Sequence, residues 1–67
     1  MLIAELIKWN GETVRCEIKH EWIDDIVAAV VGQYFFANNR DNFSINGADF
    51  AHINVYKEKN ENKEIYL

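Results

Sequence analysis

The chain has 67 residues, 49% of them apolar and 13% aromatic, which is too hydrophobic for a disordered polymer and too short for more than one domain, 1–67. Eleven acidic against seven basic side chains give a formal charge of −4, so bulk electrostatic attraction to nucleic acid or to an anionic membrane is not expected. One cysteine, Cys16, excludes an internal disulfide, whereas small extracellular domains usually carry several; the expected location is the cytoplasm.

Met1 leads directly into an alternating pattern, without the charged start, long apolar stretch or small-residue cleavage site of a targeting segment. Leu2 to Trp9 and Thr13 to Lys19 flank Asn10-Gly11 and read as an antiparallel hairpin. Two registers compete, one residue apart. A three-residue loop sets Leu6 opposite Val14, Ala4 opposite Cys16, Leu2 opposite Ile18 and Glu5 opposite Arg15, leaving Ile3, Ile7 and Trp9 on the outer side. A two-residue loop turns Glu5 onto the apolar face. The first is preferred, because opposite charges pair across the strands and the carboxylate stays off the core.

From Glu21 to about Ala37 the period lengthens, and Glu21, Asp24 and Asp25 occupy the first turn, where the helix dipole favours negative charge. The block reads as one helix leaving through Asn38-Asn39. Ile23, Ile26, Val27, Val30, Tyr34 and Ala37 form its core stripe, with Trp22, Ala29 and Phe36 on one flank and Val31 and Phe35 on the other. Its polar sector is narrow, so a cover on more than one side is expected. The longest apolar run, Ile26 to Val31, falls far short of the roughly 20 residues of a membrane-spanning helix.

Phe43 to Ile45 and Ala48 to Phe50 flank Asn46-Gly47 and predict a second hairpin, with Ile45 opposite Ala48 and Phe43 opposite Phe50. Ile53 to Lys57 alternates as a further strand, Glu58 to Lys63 turns the chain, and Glu64 to Leu67 can return as a last short strand. The predicted class is α+β: a small β-β-α-β-β domain, an antiparallel sheet with one helix packed on it. Abundant Asn, Ile, Lys and Glu without proline is compatible with a bacterium or its phages.

Chemistry is sparse. Cys16, His20, His52 and Asp49 match no metal-ligand spacing, and Cys16 alternates in phase with Val14 and Ile18, as a buried small hydrophobe does. Asp24 and Asp25 point about 100° apart on a helix and are not a catalytic pair. Ser44 lacks a nucleophile elbow, and Gly11 and Gly47 sit in Asn-Gly turns rather than phosphate-cradling loops. Asn42-Phe43-Ser44 matches a glycosylation acceptor only by chance in a chain with no secretory signal. No catalytic residue, cofactor or metal is expected, and the acids are interspersed with Lys and Arg rather than arrayed like a nucleic-acid mimic.

A domain of this size buries only about 60% of its unfolded surface, so the leftover apolar groups predict self-association as a homodimer or closed oligomer. Ile3, Ile7, Trp9, Trp22, Ala29 and Phe36 are the candidate interface. The expected function is a non-enzymatic protein-binding module, an accessory or inhibitor of a phage or mobile element that docks on a host protein. The alternative is a nucleotide or metabolite site at the oligomer interface, lined by Tyr34, Phe36, Arg40 and Phe43.

Overall fold

The computed structural model describes residues 1–58. The expected return strand at Glu64 to Leu67 therefore lies outside the described residues. Within them the chain forms an α+β domain in the order β1 (Leu2–Lys8), β2 (Thr13–Glu17), a 3₁₀ turn (His20–Trp22), α1 (Ile23–Gly32), β3 (Phe35–Asn38), β4 (Phe43–Asn46), a second 3₁₀ turn (Gly47–Asp49) and β5 (Phe50–Lys57). One antiparallel sheet has the order β2-β1-β5, and β3-β4 makes a separate two-stranded sheet.

The first hairpin takes the charge-paired register: Leu6 faces Val14, Glu5 faces Arg15 and Ala4 faces Cys16, and Ile18 N–H donates to Leu2 O at 3.0 Å. Trp9-Asn10-Gly11 is the three-residue loop, closed by Lys8 N–H donating to Glu12 O at 2.7 Å. Gly11 sits at φ +90°, a left-handed conformation that glycine adopts without a steric penalty. Asn10 Oδ1 accepts from Glu12 N–H at 2.9 Å, bracing the loop from within.

Strand β1 is central, and it pairs β5 with Ala4 opposite Val55 and Leu6 opposite Ile53. Leu2, Ala4, Leu6, Cys16, Ile53 and Val55 thus share the face covered by Trp22, Ile26 and Val30. Between Ile7 and Lys8 the register slips, so that Ile7 faces His52 and Lys8 faces Phe50. The extra residue, Ala51, is a β-bulge that returns Phe50 to the core side, where it is buried. Among the described residues Ile26 is the one large side chain below 2% exposure.

Two elements differ from the sequence-based expectation. The helix ends at Gly32, not Ala37, because Gln33 takes the left-handed conformation at φ 61°, ψ 47°. Tyr34 N–H then donates to Ala29 O at 2.9 Å and Gln33 N–H to Val30 O at 3.3 Å, the pair of bonds that satisfies the last carbonyls of a helix. Phe35 to Asn38 is consequently a strand, paired with β4 through Phe36 opposite Ile45 and Asn38 opposite Phe43. Asn38 and Asn39 begin that hairpin's turn rather than cap a helix: Asn38 Oδ1 accepts from Asp41 N–H at 3.3 Å, and Asn42 takes φ 55°.

The expected hairpin through Asn46-Gly47 does not form. Asn46 instead opens the second 3₁₀ turn, its Oδ1 accepting from Ala48 N–H at 3.2 Å. Gly47 is fixed by proximity rather than by turn geometry: a Cβ there would lie 1.9 Å from Ala29 O, and its N–H donates to Tyr34 O at 2.8 Å. The β3-β4 hairpin also reaches the segment ahead of the helix, through Phe43, stacked on Trp22 at 4.8 Å, and through Asp41, which binds Lys19 Nζ at 2.9 Å. Trp22 is buried with its indole N–H unpartnered among the described residues, a cost of about 1–3 kcal/mol borne against the Phe43 stack and the Lys19 ammonium 5.5 Å from its ring.

Gln33 joins these parts. Its Nε2 donates to Val30 O at 2.7 Å, Phe50 O at 3.1 Å and Gly47 O at 3.4 Å, tying the helix end to the second 3₁₀ turn and to β5. Gln33→Ala keeps the backbone penalty and loses all three contacts, whereas Gln33→Gly loses the contacts but relieves the backbone. Urea denaturation is expected to find both variants destabilised, the alanine by about 1 kcal/mol more than the glycine.

Candidate functional site

The α1 helix crosses the sheet so that Val27 and Val31 stand over the β5 side, and a cleft of about 510 Å³ opens between them and Ala51, His52 and Ile53. Val30 and Gln33 line its inner wall, and Trp9 closes one end. Local sequence explains each position. The first hairpin's three-residue loop carries Trp9 past the end of β1, and its indole N–H donates to Ala48 O at 2.9 Å. The side chain is therefore fixed while 67% exposed. The bulged residue, Ala51, lines the cleft on the sheet side. Val31, in the last helical turn, is 76% exposed.

A second cleft of about 360 Å³ also touches Trp9 and is lined by Lys8, Asn10, Ala48 and Asp49. Trp9 thus borders both a mainly apolar cleft and one lined by charged and amide groups. Such an arrangement suits an amphipathic aromatic ring at a contact surface.

The expected interface residues are only partly brought together. Trp9 stands in the cleft, and Ile7 is half-buried on the sheet face away from the helix. Ile3 shares that face, in register with Glu17 and Tyr56, and is 6% exposed. Trp22 and Ala29 belong to the interior, and Phe36 packs half-buried against the core, 6.3 Å from Phe43. Burial within the chain therefore removes Ile3, Trp22 and Ala29 from any open surface. Helical spacing put Trp22, Ala29 and Phe36 on one flank, but the helix stops before Phe36 is reached.

Of the four residues expected to line a ligand pocket, Phe36 and Phe43 pack together and Tyr34 and Arg40 lie apart from them. Tyr34 precedes β3 with its ring against Gly32, Arg40 lies in the turn beyond the other end of that strand, and Phe36 and Phe43 face the core. Sequence reasoning missed Val27, Gln33, Ala51 and Ile53 as parts of one site. The available signal was the apolar run Ile26 to Val31, wider than a single buried stripe.

Among the described residues the titratable groups give the cleft no reactive pair. Burial raises the Cys16 thiol, which keeps it protonated and weakly nucleophilic, and its Sγ lies 3.8 Å from Ala4 O. His52 Nε2 bonds with Asn54 Oδ1 at 3.1 Å. Arg15 is raised by its hydrogen bond to Glu58, on the exposed side of the sheet. Among the described residues no group of three or more His, Cys, Asp or Glu is placed to hold a metal ion, and no helix is long and apolar enough to cross a membrane. No protein-family model, curated protein or solved structure matches the chain.

Proposed function

We propose that the chain is a non-enzymatic protein-binding module that self-associates, with a second copy covering the cleft between α1 and β5. The observation that carries this reading is Val31, three-quarters exposed beside a tryptophan that a hydrogen bond holds in place with its ring largely open to water. Exposed apolar groups arranged around a concavity mark contact surfaces, whereas scattered ones do not. The chain's size supports the same reading, because a domain this small leaves about 40% of its unfolded surface unburied and gains stability from a symmetric partner.

Light scattering coupled to size exclusion tests the proposal on the wild-type chain, Val31→Asp and Trp9→Ala. The aspartate replaces a side chain that contributes little to the monomer's interior, so the fold is retained while a charge enters the contact. The wild type is expected at twice the chain mass at micromolar concentration, and each variant is expected to dissociate at least about tenfold more readily. A wild-type chain that stays at single mass across that range contradicts the proposal.

A further inference from the structure

The sequence uses Asn-Gly twice, at Asn10-Gly11 and Asn46-Gly47, and the fold holds the two pairs in opposite ways. Asparagine before glycine loses its side-chain amide readily, because glycine has no Cβ to shield its backbone nitrogen or to restrict rotation of the peptide between them. Both asparagines are exposed, so exposure does not separate them. The glycines do. Gly11 is exposed in the first hairpin's loop at φ +90°, and among the described residues nothing lies within 4 Å of a Cβ added there. Its N–H donates to Lys8 O at 2.9 Å, and Asn10 Oδ1 accepts from Glu12 N–H at 2.9 Å. Both bonds belong to the loop, so they open by local fraying that leaves the core cluster intact. Gly47, by contrast, is buried. Its N–H donates to Tyr34 O at 2.8 Å, and the Ala29 carbonyl stands where a Cβ would go. Turning the Asn46-Gly47 peptide requires the helix end to leave the second 3₁₀ turn, an opening on the scale of the whole fold.

We propose that Asn10 is a site of spontaneous deamidation by water in the folded chain, and that Asn46, in the same dipeptide, is protected. In the first step the Gly11 nitrogen attacks Asn10 Cγ and closes a succinimide ring. The bond from Cγ to the side-chain nitrogen breaks, and that nitrogen leaves as ammonia, taking by way of solvent the proton that Gly11 gives up. In the second step water adds to either imide carbonyl and opens the ring. Breaking the Cγ–N bond gives aspartate, and breaking the backbone C–N bond gives isoaspartate. The net exchange is water for ammonia, with no oxidation or reduction. Either product places a carboxylate at the cleft shared by Lys8, Trp9 and Asp49. Aspartate keeps an oxygen for Glu12 N–H. Isoaspartate adds a methylene carbon to the loop's backbone, which disturbs the spacing that carries the Trp9 indole to Ala48 O.

The test ages the full chain at neutral pH, folded and in urea, and follows each site by mass-spectrometric peptide mapping. In the folded chain Asn10 is expected to convert at least about tenfold faster than Asn46, and in urea the two rates are expected to converge. Gln33→Ala, which frees the helix end from the second 3₁₀ turn, is expected to speed conversion at Asn46 and to leave Asn10 unchanged. In the isoaspartate fraction the indole N–H signal of Trp9 is expected to shift in NMR spectra while that of Trp22 stays. Equal rates in the folded chain, a faster Asn46, or an Asn10 that converts only in urea overturns the proposal. A difference that persists undiminished in urea overturns it too, by placing the cause in the local sequence rather than the fold. An Asn46 rate that Gln33→Ala leaves unchanged overturns the protection assigned to the helix end, and an unshifted Trp9 signal overturns the coupling of that ring to the loop.

Discussion

Gly47→Ala is expected to remove most of the chain's stability. A methyl group at that position would lie 1.9 Å from the Ala29 carbonyl oxygen and 2.4 Å from its carbon. Both belong to the backbone of the last helical turn, which no rotamer change can move. The helix end and the second 3₁₀ turn would have to separate, stretching the 2.8 Å bond from Gly47 N–H to Tyr34 O and the Gln33 amide contacts around it. Such overpacking costs about 3 kcal/mol or more, against a total of about 3–10 kcal/mol for a domain this size. Gly11→Ala is the control: its φ is unfavourable for alanine, yet nothing lies within 4 Å of the added Cβ. Its expected cost is about 1 kcal/mol. Urea denaturation of the pair checks this, and equal losses at the two glycines would contradict the close approach assigned to Gly47.

Ile26→Ala is the second large effect. Ile26 is fully buried where the helix meets the sheet, in one cluster with Ala4, Leu6, Trp22, Val30 and Ile45. It joins the sheet layer to the β3-β4 hairpin. The cavity left by alanine opens within the cluster that also holds Ala4 and Leu6 of β1 and the Trp22 and Phe43 stack, rigid neighbours that limit its collapse. The expected loss is about 3–4 kcal/mol, and Ile26→Val, which keeps most of the volume, is expected to lose about 1 kcal/mol. Denaturant midpoints at fixed protein concentration check both; an alanine variant no weaker than the valine one would show that the site relaxes and that the core is organised around another residue.

The parts legible in the sequence are those governed by neighbours in the chain. The first hairpin's register follows from Asn10-Gly11 and from the Glu5 and Arg15 pair, and with it the buried set Leu2, Ala4, Leu6, Cys16 and Ile18. The helix start is legible to within a turn: Asp24 and Asp25 occupy the first turn of α1, whereas Glu21, expected there too, lies in the 3₁₀ turn before it. What was not legible depends on distant partners. Tyr34 to Ala37 continues an apolar block that either a helix or a strand can use, and pairing with Phe43 to Asn46 decides for the strand. Asn46-Gly47 has the composition of a hairpin turn, and only the approach of Ala29 shows why glycine is needed there. The three-residue spacing from Phe50 to Ile53 breaks the period of two because Ala51 bulges, a feature visible only against β1.

The candidate site divides in the same way. Trp9 stood out in the sequence as an aromatic left over by the hairpin, and it lies in the cleft as an exposed ring. Its companions come from α1 and β5, which are adjacent only once the helix has folded across the sheet. Trp22 and Ala29 were assigned to a surface by a helical wheel that ran past the true helix end, and their burial follows from the shorter helix and the hairpin packed against it.

The most direct measurement of the central claim is the unfolding midpoint of the wild-type chain as a function of its own concentration. If folding and pairing are coupled, an increase of about 100-fold in concentration above the dissociation constant raises the apparent stability by about 2.7 kcal/mol per dimer, about 1.4 kcal/mol per chain, and the midpoint moves with it. A midpoint that stays fixed over that range, with the chain at single mass throughout, contradicts the claim that a second copy covers the exposed apolar surface.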